Sequence, residues 1–347
     1  MNKGWLVIRS RRLGVSFRFE RRVPAVLLAL VLVTLAAMVV SVGQGEYPIP
    51  PLEVVKTILG WETSSPEYPF IINTLRLPRT LVAFLVGVGL AISGTILQGI
   101  TRNPLADPSM IGFNAGASLA AVSLIVLPSA PIYLLPWSAF GGAVVVALLI
   151  YLLAWNQGSS SIRLILVGIG LAAIATALTN LMIAFGEINS VSQALVWLAG
   201  SVYGRSWEHV AAILPWLIVL VPLALMLAPQ LNILNLGDDV AKGLGSAVER
   251  QRCLLLLISV ALAGAAVATA GTIAFVGLIA PHIGRMLVGP THEGLIPTAA
   301  VMGGAIVVIA DLVGRTAFAP IELPCGIITA AVGVPYFLYL LYRNRNA

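Results

Sequence analysis

Long apolar runs separated by short polar breaks set the rhythm of this chain from residue 23 onward. The first, Val23 to Val42, is about 20 residues long, enough for a helix to cross about 30 Å of hydrocarbon. It predicts an uncleaved membrane helix, because a signal peptide has a shorter apolar core closed by a small-residue cleavage site. Residues 44–74 are polar and rich in proline and acid (Glu46, Glu53, Glu62, Glu67). Further apolar runs predict helices at about 77–99, 109–127, 132–154, 163–185 and 209–228, then at 253–270, 277–289, 295–314 and 322–342. The expectation is an all-α integral membrane protein of about ten transmembrane helices: a basic segment 1–22, then one membrane domain over 23–347.

Two polar breaks interrupt this pattern. TRNPLADPS, at 101–109, carries Pro104 and Pro108, which cannot donate to a helix and bias the residue before them away from helical backbone. QLNILNLGDDVAKGLGSAVERQR, at 230–252, is broken by Gly237, Gly243 and Gly245, so two short helices with a turn fit it better than one long helix.

Composition makes lipid the solvent. Only 10% of the 347 residues are charged and 59% are hydrophobic, with a mean hydropathy of +0.98. Soluble domains are about a quarter charged. The net charge of +6 sits at the ends of the runs, beginning with Lys3, Arg9, Arg11, Arg12, Arg18, Arg21 and Arg22. Placing that block in the cytoplasm puts about 14 of the 20 Lys and Arg residues inside and both termini in the cytoplasm of a multi-pass cell-membrane protein. These cations read as topology signals and lipid-headgroup contacts. They do not form the aromatic-interleaved surface of a nucleic-acid binder.

Enzymatic signatures are missing. No GxxxxGK[ST] phosphate loop occurs, nor HExxH, nor GxSxG, so the chain has no phosphate loop with which to hydrolyse ATP. Cys253 and Cys325 lie in apolar runs without ligand spacing, and His209, His282 and His292 are far apart, so neither a cofactor nor a metal site is expected. Asp311 stands out as a carboxylate at membrane depth, with Arg315 at i+4 its expected structural partner. So few intramembrane ionisable groups argue against an ion-coupled secondary carrier.

The two halves echo each other. LPWSAFGGAVVVALL in the fourth helix resembles IPTAAVMGGAIVVIADL in the ninth, and ADPSMIG before the third resembles IAPHIG, read as preceding the eighth. With one helix between them, the second to fifth and seventh to tenth helices read as an inverted repeat, a feature of transporters. The alternative is that small residues recur in any membrane helix.

RLPR (76–79), QGITRNPLADPSMIGFNAGA (98–117), GDDVAKGLG (237–245), FVGLIAPHIGR (275–285), ADLVGR (310–315) and ELPCGIITAAVGVPYFLYLLYR (322–343) together resemble the FecCD family. Its members are ten-helix permeases of binding-protein-dependent ABC importers for ferric siderophores, haem and vitamin B12. The resemblance implies a second permease subunit, identical or related, with the fifth and tenth helices near the path at the dimer interface. It also implies two cytoplasmic ATP-binding subunits and an extracytoplasmic substrate-binding protein, with a ferric siderophore as the favoured substrate and haem or cobalamin as the alternative. It assigns binding-protein docking to Arg76, Arg79 and Arg315, which could otherwise simply anchor helix ends at headgroups. ATPase coupling falls to 230–252, with Gly237, Asp238, Asp239, Ala241, Leu244 and Gly245 in the matching motif. Leu231, Ile233, Leu234, Leu236 and Leu244 would give that segment an apolar docking surface. A cytoplasmic gate maps to Asn103, Leu105, Ser161 and Ile162.

Overall fold

The computed structural model describes residues 5–10, 15–109, 111–127, 131–155 and 161–343. The basic N-terminal segment folds back as an antiparallel hairpin, β1 (Trp5–Ser10) and β2 (Val15–Glu20), with Trp5 opposite Glu20. The sequence reading gave it no structure. Lys3, Arg11 and Arg12 lie outside the described residues.

Helix α1 (Arg22–Gly43) is followed by the short α2 (Pro51–Ile58) and by α3 (Tyr68–Phe70), which runs through a π-helical turn, Ile71–Arg76, into α4 (Leu77–Thr101). Next come α5 (Phe113–Val126), α6 (Leu135–Ala154), α7 (Ser161–Phe185), α8 (Ile188–Leu198) and α9 (Trp207–Met226). The 230–252 break holds α10 (Ala228–Asn235) and α11 (Asp238–Gly243), as its glycines require. Then follow α12 (Val248–Ala270), α13 (Val276–Val288), α14 (His292–Thr316) and α15 (Cys325–Arg343).

Eight of these segments are long and apolar enough to cross a membrane, and α5 and α13 are shorter apolar helices. At 1.5 Å per residue, 14- and 13-residue helices reach only about 20 Å. The expected third helix therefore begins four residues late, at Phe113 rather than 109. Asp107 accepts the Ser109 N–H (2.9 Å) and Gly112 takes φ 102°, which holds the backbone in turns until then. Ala106, Asp107, Pro108, Ile111 and Gly112 in this turn are buried, so protein encloses the non-helical backbone.

The repeat is visible in how helices pair. The first helix of each half lies on the third of the other, α4 on α14 and α12 on α6, while α4 and α12 cross with Ser93 and Ser259 hydroxyls 2.8 Å apart. Both short helices start after a left-handed residue, Gly112 before α5 and Phe275 before α13. IAPHIG, however, lies inside α13, so the true counterpart of the first break is GTIAF (271–275). The matched glycine pairs also serve different neighbours. Gly303 meets Gly87 of α4 so closely that a Cβ on either would strike the other's carbonyl, whereas Gly142 meets Gly116 of α5.

Burial separates centre from rim. The apolar windows of α4, α12 and α14 are 78%, 67% and 61% buried, against 17–28% for α1, α6, α7, α9 and α15. The loop expected between the fifth and sixth helices contains α8, whose Ala194 and Trp197 are buried.

Candidate functional site

Three arginines converge where α1 ends and α4 begins. The last four carbonyls of a helix lack internal partners, and here all four of α1 are satisfied. Gln44 N–H bonds Val40 O at 3.0 Å, Arg315 Nη2 bonds Ser41 O, and Arg76 Nη1 donates to Val42 O (3.0 Å) and Gly43 O (3.2 Å). Arg76 also donates to Tyr47 O at 2.7 Å, and Arg315 to Gln44 O at 2.6 Å and Ser41 Oγ at 2.9 Å. Two cations at a helix C-terminus also suit its dipole.

Arg79 takes a different partner. Its Nη2 lies 2.8 Å from Asp311 Oδ1, its Nε 3.1 Å from Oδ2, and its Nη1 3.0 Å from Glu322. A guanidinium fork matches a carboxylate in this way. Arg315, the partner expected at i+4, stays 3.7 Å from Asp311 because the α1 carbonyls draw its guanidinium away. The Tyr203 ring lies 5.5 Å from Arg79 Cζ. Arg76, Arg79, Arg315, Glu322 and Tyr203 help line a cavity of about 530 Å³. The structure thus brings the three predicted docking arginines together, with most of their donors turned inward.

The opposite end of α4 holds the other predicted residues. Asp238, the first residue of α11, accepts Arg252 Nη2 at 2.7 Å, and Arg252 also pairs with Glu249 at 3.2 Å. Arg252 is 1% exposed, and Ala241 is fully buried. Asn232 ties α10 to α14 through Glu293 (2.7 Å) and the His292 N–H (3.0 Å). Neither Arg252 nor Asn232 stands out as a site residue in the local sequence pattern.

The expected apolar surface divides in two. Leu231 and Leu234 are core residues, fully and almost fully buried, because α10 lies against α4 and α14. Leu236 and Leu244 are exposed, and so is Val240, which the sequence reading missed; Val240 and Leu244 lie one turn apart along α11, while Gly237, at φ 110°, separates Leu236 from them. Of the motif residues, Asp239 and Gly245 are exposed and Gly237 is buried at φ 110°.

The gate residues are only partly assembled. Asn103 Oδ1 accepts the Leu105 N–H at 2.9 Å, and Leu105 packs against the buried cluster of Leu278, Ile279 and Leu340. Ile162 is instead exposed at the start of α7, and the Ser161 side chain lies outside the described residues. Gln98 holds this turn from within α4, donating to Ala106 O (3.1 Å) and Gly277 O (3.3 Å) while accepting Arg285 Nη2 (2.5 Å). The Gly277 carbonyl is free because Pro281, four residues on, has no N–H. Burial pushes the Asp107 carboxyl up from the ordinary carboxylate range, opposed by the Ser109 hydroxyl and N–H and by the Leu278 N–H.

The sequence profile of the FecCD transport family matches residues 30–343. The chain belongs to that family. A probable siderophore transport system permease protein, YfhA of Bacillus subtilis, is 46% identical over 343 residues, covering 97% of this chain and 99% of that protein. The achromobactin transport system permease protein CbrC of Dickeya dadantii is 45% identical over 336 residues, covering 95% of each. Among solved structures, an inward-facing metal-chelate type ABC transporter matches with TM-score 0.83 and 32% identity, covering 92% of this chain and 99% of that one. Family membership makes this chain a multi-pass membrane permease subunit.

Proposed function

We propose that this permease imports a ferric siderophore across the cell membrane, powered by two ATPase subunits on its cytoplasmic side. The observation that carries the reading is the exposed apolar pair Val240 and Leu244 along α11. It stands beside charged groups, on a short helix fixed from behind by Asp238 and Arg252. An apolar pair on a short helix fits a groove in a partner and can pass on a rigid-body motion. The chain has no phosphate loop of its own, in keeping with hydrolysis next door.

In this reading both termini are cytoplasmic, and a second permease subunit, identical or related, completes the path along α7 and α15. Those helices carry exposed apolar residues such as Leu166, Phe185, Val332 and Leu338. Arg76, Arg79 and Arg315 surround the mouth where an extracytoplasmic binding protein docks, and the turn at Asn103 and Leu105 with the start of α7 forms the cytoplasmic gate. The names of the relatives support a siderophore.

The test is purification of the tagged chain from native membranes in mild detergent, then uptake by vesicles holding the recovered complex. An ATPase in the complex and ATP-dependent uptake of a labelled ferric siderophore are expected. Uptake of haem or cobalamin instead would change the substrate. Uptake without an ATPase, collapsing with the ion gradient, would replace the reading with a secondary carrier.

A further inference from the structure

Among the described residues, only Arg102 and Phe275 are non-glycine residues with positive φ. Arg102, at φ 53° and ψ 30°, closes α4 in a conformation that glycine adopts more readily. The backbone leaves it directly into the Asn103–Ala106 turn, where Asn103 N–H bonds Gln98 O (3.2 Å) and Ala106 N–H bonds Asn103 O (3.1 Å). Capping alone does not call for an arginine there. Its side chain, 42% exposed, reaches out to α11, with Nη2 3.8 Å from Asp238 Oδ1. The guanidinium lies against Gly237, where a built Cβ would stand 3.1 Å from Arg102 Nη1.

Asp238 Oδ1 faces two cations at once. Arg252, itself buried, holds it at 2.7 Å from the second turn of α12, and Arg102 meets it at 3.8 Å from the end of α4. Helix α11 is six residues long and bounded by Gly237 at φ 110° and Gly245 at φ 77°, so it can tilt between two pliant joints. Any tilt moves Asp238, its first residue, relative to both guanidinium groups. Arg252 lies within the rigid core, while Arg102 stands next to the turn that holds Leu105 over α13 and α15. The compliant member of the pair is the one joined to the turn.

We propose that Arg102 is a positioning residue that carries movement of α11 through Asp238 to the Asn103–Ala106 turn. The inference rests on α11 being the ATPase docking helix. It adds a route by which events in that partner reach the gate.

The experiment compares wild type with Arg102→Gly and Arg102→Lys in the complete complex, reconstituted in vesicles. Glycine keeps the left-handed backbone and removes only the side chain, while lysine keeps the charge. ATP hydrolysis and ferric-siderophore uptake are measured on the same vesicles. The expected result for Arg102→Gly is normal assembly and hydrolysis with uptake per ATP down by roughly fivefold or more, the low end of measured coupling between sites. Arg102→Lys should recover part of the loss. A role in helix capping alone predicts an unchanged uptake-to-hydrolysis ratio for Arg102→Gly, and that result overturns the relay while leaving the importer reading intact. Wild-type vesicles in which hydrolysis and uptake are unlinked would overturn both.

Discussion

Arg79 and Asp311, 232 residues apart in sequence, meet in a two-pronged ion pair with a closest approach of 2.8 Å. Asp311 is 3% exposed and Arg79 15%, so the bond joins α4 to α14 at the edge of the protein interior. Removing Asp311 leaves the largely buried Arg79 with only the half-exposed Glu322, at a cost up to about 3–5 kcal/mol. Glu322, 39% exposed, shares Arg79, and its own contribution should stay below about 1 kcal/mol. Thermal unfolding in detergent should therefore place Asp311→Ala far below Glu322→Gln. Equal losses would mean that Asp311 is not the buried anchor of Arg79.

Arg79 is also the arginine whose availability to a docking partner can be tuned without touching α1. In Glu322→Gln, one of the two carboxylates engaged by the guanidinium is neutralised. Binding-protein affinity at low salt should rise several-fold, with the gain fading as salt screens exposed charge. Joint reversal of Arg76, Arg79 and Arg315 to Glu should weaken docking. It also uncaps α1, because Arg76 and Arg315 hold its final carbonyls. Glu322→Gln is therefore the cleaner probe. Binding by isothermal titration that falls or stays flat in this variant would exclude Arg79 from the docking surface.

These clusters show what the sequence could and could not say. The hydrophobic runs located the ten helical segments because each is longer than any polar interruption within it. They overstated the third, since the turn from Asp107 to Gly112 depends on side-chain hydrogen bonds that periodicity does not register. The motifs brought Arg76, Arg79 and Arg315 to notice, but not the carbonyls and carboxylates that occupy them, which come from residues tens to hundreds of positions away. Local spacing pointed to Arg315 as the partner of Asp311, whereas a neighbouring helix supplies the better fork. Apolar content alone could not tell Leu231, a core residue, from Leu244, an exposed one; the course of α10 over α4 and α14 decides that.

The division between Leu231 and Leu244 yields three substitutions that separate folding from docking. Leu244→Asp and Val240→Asp place a charge on an exposed apolar pair, where surface changes usually cost within about 0.5 kcal/mol of stability. Both variants should reach the membrane in normal amounts and recover several-fold less ATPase on affinity purification. Leu231→Asp buries an unpaired carboxylate and should fail to accumulate. Full ATPase recovery with both exposed variants would remove the pair from the interface.

Asp107 gives the fold a pH dependence of definite sign. Its carboxyl is pushed up by burial against α13, beside Gly277, opposed by the Ser109 hydroxyl and N–H and by the Leu278 N–H. A carboxyl raised in the folded state favours folding while it is protonated, at low pH. That contribution disappears as pH rises through the folded value, since the unfolded chain ionises more readily. Asp107→Asn keeps an acceptor for the Ser109 N–H and supplies an uncharged group at the Gly277 side. The variant should therefore unfold at a higher temperature than wild type at pH 7 to 8, with the gap closing as pH falls toward the carboxylate range. Melting curves of the purified protein in detergent across that range give the answer. A gap that is constant with pH would show that Asp107 titrates alike in the folded and unfolded chain, and a lower melting point at every pH would show that the ionised carboxylate is the form the turn requires.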